Sequence, residues 1–340
     1  MENIFDNIFT WILNNKSRIG YDLAASGMDA QIFIKSGIDF SREEFQRESG
    51  KIEENFYETV ADIYGVDRDE VVSTNGGSEA IQIASLFLSR ESERIVIPVP
   101  EYEPMYLVPE RYGFRSTRIR LESEYELKRN ESLSFTDPNN PTGALLSRKE
   151  FFKSALENNP VFCDETFSEF TFPHKPFTNF TEYPNAITSF TLTKFYGAGF
   201  LRVGFMFASK DKISKLKEYR RLSSGSANLI SLYLGKKILE RREYFAREVK
   251  KVMDANRKIL REKLSSFGLT FSDPNNSSTT LVSGDFDEKW CKDLMETKGV
   301  LVTPGKYFGL EKGFRICFTS TSPEKLSEGL DLIGEFAGAN

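Results

Sequence analysis

The sequence predicts an α/β protein in which a mainly parallel seven-stranded sheet flanked by helices is joined to a smaller α+β unit. Three observations carry this. Short β-branched or aromatic runs alternate with helical stretches through much of the chain, the pattern of a sheet covered by helices. A charged helical stretch without proline then runs from about residue 226 to 267, and further short strand-like runs follow it. The length of 340 residues leaves room for about two domains at roughly 100 to 200 residues each.

The sheet strands are expected at Val71–Thr74, Arg94–Val99, 114–121, 133–136, 160–164, 186–192 and 203–208. Helices are expected between them, among them 78–88, where Ile81, Ala84, Ser85 and Leu88 recur at helical spacing, and 148–156. In the long charged stretch Ile238, Leu239, Val252, Ile259 and Leu260 alternate with Lys, Arg and Glu. Only Gly235 interrupts it, and Gly268 marks its end. Strands at 269–272, Thr279–Ser283, 300–303 and 314–319 complete the smaller unit. The division that follows is a large sheet-bearing domain over 41–235 and a small domain over 1–40 and 236–340, with a long connecting helix near 236–267.

Composition removes several function classes. At 39% hydrophobic and 28% charged, the chain has the balance of a soluble globular protein. A net charge of −5 and the lack of a basic block leave no electrostatic grip on nucleic acid. No apolar run approaches the roughly 20 residues of a membrane span, and Met1-Glu2-Asn3 does not open an export signal, so a cytoplasmic protein is expected. Cys163, Cys291 and Cys317 have no CxxC spacing, which speaks against a disulfide framework or a zinc site. The single histidine, His174, has no second imidazole to share a metal, and no GxSxG elbow exists for a serine triad.

Two segments carry chemistry. Residues 71–80, Val-Val-Ser-Thr-Asn-Gly-Gly-Ser-Glu-Ala, run strand, glycine turn, helix start, which directs free backbone N–H groups and the positive helix end at one point, where a phosphate fits; an ordinary capped helix reads the same way. Neither GxxxxGK[ST] nor GxGxxG is present. The second segment, Thr191-Leu192-Thr193-Lys194-Phe195-Tyr196-Gly197-Ala198-Gly199-Phe200-Leu201-Arg202, sets a lysine at the end of an expected strand with an arginine downstream. Lysines are mostly solvated. One that is partly desolvated near another cation has a lowered pKa, and its neutral amine can attack a carbonyl.

These segments, together with Asp137-Pro138-Asn139-Asn140-Pro141-Thr142-Gly143, Val161-Phe162-Cys163-Asp164-Glu165 and Gly313-Phe314-Arg315-Ile316, resemble the fold-type I pyridoxal-phosphate enzymes, specifically the class I/II aminotransferases of the aspartate and histidinol-phosphate type. The motifs stand in the family's order and cover most of the chain. The resemblance implies that pyridoxal 5′-phosphate is held covalently by Lys194, and that Asp164 keeps the pyridine nitrogen protonated. It implies that Asn140 bonds the ring's O3′ and that Tyr102 stacks on the ring. The phosphate would be held by the backbone N–H groups of Gly77, Ser78 and Glu79, by Thr191 and Thr193, and by Arg202. Arg315 would clamp the substrate's α-carboxylate, and Tyr57 would reach the phosphate of a neighbouring subunit's site in a homodimer. Each residue also has a plainer reading: Asp164 as a helix cap or turn carboxylate, Asn140 in an Asn-Pro turn with Pro141 after a cis bond, Tyr102 as core or surface. Arg202 reads equally as an ion-pair partner, and Arg315 as a strand-end residue facing solvent.

Two departures stand out. Phe167 occupies the place where the family often carries a tyrosine whose hydroxyl also meets O3′, and residues 22–28, Asp-Leu-Ala-Ala-Ser-Gly-Met, lack the Asn-Glu-Asn-Pro run typical of histidinol-phosphate aminotransferases. The activity implied is transfer of an amino group between an α-amino acid and a 2-oxo acid by a ping-pong mechanism, with Lys194 shuttling the proton. Motifs that hold the coenzyme leave a carbon–sulfur β-lyase or an amino-acid decarboxylase open on the same scaffold. An effector-sensing domain without catalysis ranks below both.

Overall fold

The structure, a computed structural model, describes residues 6–16, 19–121, 123–171 and 177–339. His174 lies outside the described residues. The first half runs α1 (Ile8–Asn15), β1 (Tyr21–Asp22), α2 (Gln31–Lys35), α3 (Arg42–Glu48), α4 (Ile52–Tyr64), β2 (Val71–Thr74), α5 (Gly77–Glu91), β3 (Arg94–Val99), α6 (Glu103–Arg111), β4 (Ser116–Arg120), β5 (Glu131–Thr136), α7 (Glu150–Asn158) and β6 (Val161–Asp164). The second half continues with α8 (Ser168–Thr171), β7 (Ile187–Thr191), β8 (Gly204–Phe207), α9 (Lys210–Ser224), α10 (Leu229–Glu240), α11 (Arg242–Ser266), β9 (Thr270–Phe271), β10 (Thr279–Ser283), α12 (Glu288–Lys298), β11 (Val300–Leu301), β12 (Thr303–Pro304), β13 (Phe314–Cys317) and α13 (Pro323–Ala339).

All seven expected strands form one sheet in the order β2-β8-β7-β6-β5-β3-β4. Only β8 runs against the others. Alternate side chains divide between the faces, so Phe190, Phe205 and Phe207 pack with Phe56, Val60 and Tyr64 of α4 and with α10, while Val72, Phe162, Ile187 and Met206 pack against α5, α6 and α9. Because both faces are covered, the inner strands are buried nearly throughout, and those rich in apolar residues, such as Arg94–Val99, Val161–Asp164 and Gly204–Phe207, are legible as continuous runs. The carboxyl ends of β2, β3, β5, β6 and β7 therefore meet along one edge, where open α/β sheets bind their ligands.

The smaller unit is a four-stranded antiparallel sheet, β12-β13-β10-β9, with α12 and α13. The N-terminal segment joins it: β1 pairs in parallel with β11, and the Trp11 indole N–H donates to the Val302 carbonyl at 2.9 Å.

Two local expectations are corrected. Gly235 does not interrupt the long helical stretch. It sits inside α10, where a Cβ would come within 3.2–3.3 Å of Val203, Leu192 and Phe56, so the missing side chain lets the helix lie close to the sheet. The interruption falls instead at Arg241, with φ −102° and ψ 16°, between α10 and α11. Cis bonds precede Pro100 and Pro138, and not Pro141.

Packing also changes hands elsewhere than at residues 40 and 236. Ile32 and Phe33 of α2 join the core of the large sheet, as do Ile238 and Leu239 of α10 and Phe245, Val249 and Met253 in the first half of α11. The second half of α11 turns Leu260 and Leu264 into the other core. One helix of about 37 Å thus seats both units, each apolar side chain contributing about 1.5–3 kcal/mol when fully buried.

Candidate active site

A pocket opens at the carboxyl ends of the parallel strands. Its lining brings together Gly77, Ser78, Tyr102, Asn140, Asp164, Thr191, Thr193, Lys194, Arg202 and Arg315, residues that seven separate elements and loops deliver.

The phosphate-sized end is built by a backbone that only glycine tolerates. Gly76 precedes α5 with φ 76° and ψ −179°, and no side chain caps the helix, so the first N–H groups of Gly77, Ser78 and Glu79 stay available at the positive helix end. The side chain of Glu79 turns away: its Oε2 accepts from the Asn75 N–H at 2.6 Å and its Oε1 from Ser223 Oγ at 3.0 Å. Arg202, itself at φ 55°, lays its guanidinium beside Gly76, with Nη2 donating to the Asn75 carbonyl at 3.3 Å. A Cβ on Gly76 would stand 2.6 Å from that nitrogen. Thr191 and Thr193 share a hydroxyl–hydroxyl bond of 2.8 Å on the same side.

Asp164 ends β6, buried at 4% exposure. Its Oδ1 takes three bonds, from the Thr166 N–H at 3.1 Å, Thr166 Oγ1 at 2.6 Å and Ser189 Oγ at 3.1 Å, none of which goes to Oδ2. Burial raises its pKa, while those hydroxyls and the charge of Lys194 pull it down. Lys194 follows β7, half-buried, with Nζ donating to Ser26 Oγ at 3.0 Å. Burial, with Arg315 and Arg202 adding to it, lowers its pKa to about 8. About a tenth of the amine is then neutral at pH 7, far more than for an ordinary lysine.

Arg315 lies on β13 and is 1% exposed. Its Nη1 donates to Asn140 Oδ1 at 3.0 Å and its Nη2 to the Ala24 carbonyl at 2.8 Å, while Nε is buried without a partner. Since Asn140 Oδ1 is occupied by this bond, its amide Nδ2 is left as the donor facing the pocket. Among the described residues no carboxylate lies within ion-pair distance of Arg315 or Arg202. A buried guanidinium without a counter-ion is costly, so its position suits an anion delivered by a ligand.

Tyr57, expected to serve a neighbouring subunit's site, lies outside this chain's own pocket. Its hydroxyl is buried among Glu53, Ser73 Oγ at 3.2 Å and Arg220 Nη1 at 3.3 Å, because α4 turns that face onto the sheet. Conversely, no motif pointed to Ile8, Phe9 and Ile12 from α1, to Ile81, or to Ser26, all of which line the pocket beside Phe167. Ser26 had one signal: the adjacent Gly27 lies so close to Lys194 that a Cβ would be 3.1 Å from its Cα, and the Met28 N–H donates to the Lys194 carbonyl at 2.8 Å.

The set fits a phosphorylated aldehyde coenzyme and a carboxylate substrate: a cradle that a Cβ would fill, an amine of lowered pKa, a buried carboxylate with one oxygen outside its own network, and an orphaned guanidinium nitrogen. Comparison with known proteins agrees. Residues 34–333 match the model of the family described as aminotransferase class I and II. Histidinol-phosphate aminotransferase 2 of Carboxydothermus hydrogenoformans is 25% identical over 275 residues, 76% of this chain and 75% of that protein. The putative threonine-phosphate decarboxylase of Caldanaerobacter subterraneus subsp. tengcongensis is 28% identical over 283 residues, 76% of this chain and 74% of its own. In three dimensions, a PLP-dependent aminotransferase from Streptococcus suis superposes over 100% of this chain and 99% of its own with a TM-score of 0.83 at 21% identity. With a family match over most of its length, this chain belongs to the class I and II aminotransferases, enzymes whose cofactor is pyridoxal 5′-phosphate.

Proposed function

We propose that this pocket moves an amino group between an α-amino acid and a 2-oxo acid, with Lys194 as the proton-carrying amine, Asp164 as the ring's partner and Arg315 as the carboxylate clamp. The observation that carries the reading is a single pocket holding an amine, a buried carboxylate and two guanidiniums with no acidic partner among the described residues. Pyridoxal 5′-phosphate, when bound, supplies an aldehyde and an electron-drawing ring.

The chain's own groups do the rest. The N–H groups of Gly77, Ser78 and Glu79 with Thr191, Thr193 and Arg202 would bind the phosphate. Asp164 would hold a proton at the ring nitrogen, Asn140 would donate to the ring oxygen, and Tyr102 would cover the ring. Arg315 orients the substrate by its carboxylate, which brings the Cα hydrogen within reach of Lys194, and Lys194 Nζ then takes that proton. Since one site receives an amino acid and then an oxo acid, the kinetics are ping-pong.

The test is an absorption spectrum of the purified chain with pyridoxal phosphate, before and after borohydride reduction, with the labelled peptide mapped. Label on Lys194 and parallel double-reciprocal plots with an oxo acid as co-substrate are expected. Label elsewhere overturns the site, and turnover without an oxo acid assigns a lyase or decarboxylase instead.

The working unit is proposed to be a homodimer in the cytoplasm. Phe200, Leu222, Leu229 and Ile230 are exposed at 57%, 77%, 40% and 51%, apolar surface that a second copy would cover. The three thiols are free and buried, as suits a reducing compartment. Sedimentation equilibrium at the monomer mass of 38.8 kDa would overturn the dimer.

A further inference from the structure

Once the groups that serve coenzyme and carboxylate are set aside, what is left of the pocket wall is apolar. Ser26 is engaged by Lys194 Nζ, Thr166 is bound to Asp164, and Thr136 Oγ1 is bonded to Glu101 and accepts the Asn140 N–H at 2.9 Å. Ile8, Phe9, Ile12, Ile81 and Phe167 remain. Among the described residues no fourth cation lines the pocket besides the two arginines and Lys194; Lys306, near the start of α1, is taken up by Asp6 at 2.9 Å and Glu288 at 2.5 Å.

The short helix α1 is held in place. Asn7 Oδ1 accepts from the N–H groups of Phe9 and Thr10 at 3.1 Å each, the Ile8 N–H donates to Glu103 Oε2 at 2.6 Å, and Trp11, one turn after Ile8, is anchored to the Val302 carbonyl. Positions 8, 9 and 12 share the face that meets the pocket, as one-turn spacing dictates. Phe9 is 47% exposed there, apolar surface that a ligand would cover.

We infer that α1 forms a side-chain subsite for amino acids with an uncharged, apolar side chain of about leucine to phenylalanine size, in preference to dicarboxylic or phosphorylated substrates. The inference rests on the reading of the pocket given above and adds the substrate class. The physical reason is a difference in transfer: each methylene covered by this wall strengthens binding about fourfold, whereas a second carboxylate or a phosphate placed against it loses water and meets no further cation among the described residues of this chain.

The test uses the holoenzyme and unreactive carboxylates. Calorimetry with 4-methylpentanoate, 3-phenylpropanoate, glutarate and acetate is expected to show the first two binding at least tenfold tighter than either of the others. Ile12→Ala and Phe9→Ala should each lower the ratio of 4-methylpentanoate to acetate affinity about fivefold, and Ile12→Lys should shift preference towards glutarate. Glutarate bound as tightly as 4-methylpentanoate by the wild type, or a ratio unmoved by all three variants, overturns the inference. The coenzyme spectrum keeps the two readings apart: a chain that binds pyridoxal phosphate at Lys194 but favours glutarate or a phosphate ester loses only the apolar subsite, while a chain that never takes up the coenzyme loses the pocket assignment as well.

Discussion

Replacing Gly76 by alanine tests the phosphate cradle through two separable effects. At φ 76° and ψ −179° the backbone lies in a region essentially confined to glycine, where a side chain costs of order 1–3 kcal/mol. The added Cβ would also stand 2.6 Å from Arg202 Nη2 and 3.0 Å from its Cζ, so the guanidinium must leave. If Arg202 holds the phosphate, losing that charge-assisted bond removes about 1.5–3 kcal/mol, or roughly 10- to 150-fold in the dissociation constant for pyridoxal phosphate. Spectrophotometric titration with pyridoxal phosphate and with pyridoxal, which lacks the phosphate, isolates this part. Thermal unfolding of the coenzyme-free chain reports the backbone part as a fall of a few degrees. Arg202→Ala alone should reproduce the phosphate-specific loss. In that background Gly76→Ala should add little to it, since both act on one contact. Full additivity, or a Gly76→Ala protein that distinguishes pyridoxal phosphate from pyridoxal as well as the wild type does, would refute the reasoning.

Other outcomes follow from the same geometry. With the Lys194 pKa lowered to about 8, the neutral amine dominates above that pH, so the rate of aldehyde capture should climb with pH and level off above about 8; a rise that continues to pH 10 would show an ordinary lysine. Arg315→Lys replaces a planar fork by a point charge and should raise KM for amino-acid substrates about 10- to 100-fold, with little change for amines that lack a carboxylate; equal effects on both would remove Arg315 from the carboxylate. Asp164→Asn keeps an oxygen for the Thr166 and Ser189 donors. Because burial raises the Asp164 pKa, its ionisation counts against the folded state as pH rises past the ordinary carboxylate value. The coenzyme-free Asp164→Asn variant should therefore gain Tm relative to wild type at pH 8 and not at pH 3, and an equal Tm difference at both would contradict this. Phe167 lines the pocket without a hydroxyl, so Phe167→Tyr should lower the midpoint of the bound coenzyme's spectroscopic pH titration; coincident curves would show that the added hydroxyl does not reach the ring oxygen.

Much of the large unit was legible because its signals are local. The strand that ends at Asp164 stands out as an apolar run and the one just before Lys194 as a run of β-branched and aromatic residues, both suited to a sheet covered on both faces, and the Gly76-Gly77 turn announces itself because few other residues adopt its backbone. The helical stretch after residue 226 was visible in composition, but its break was not: Arg241 is a charged residue like its neighbours in sequence, and its Nη1 donates to the Ser36 carbonyl, a contact 205 residues away that no local pattern carries. Tyr57 shows how little of a residue's surroundings its own stretch of sequence carries: its hydroxyl meets Glu53 one helical turn away, but also Ser73 and Arg220, the last 163 residues distant.

The order of residues settles a covered parallel sheet, a glycine-walled turn and a lysine at a strand end, since backbone preference and the two- and 3.6-residue periods act over short spans. It took packing in three dimensions to bring α1 to Phe167 and Ser26 to Lys194, and to bury Arg315 beside Asn140 with no carboxylate among the described residues to neutralise it. Burial and missing counter-charges are properties of assembled surfaces. They set the pKa of the amine and the chemistry of the wall the substrate meets, and no short stretch of sequence contains them.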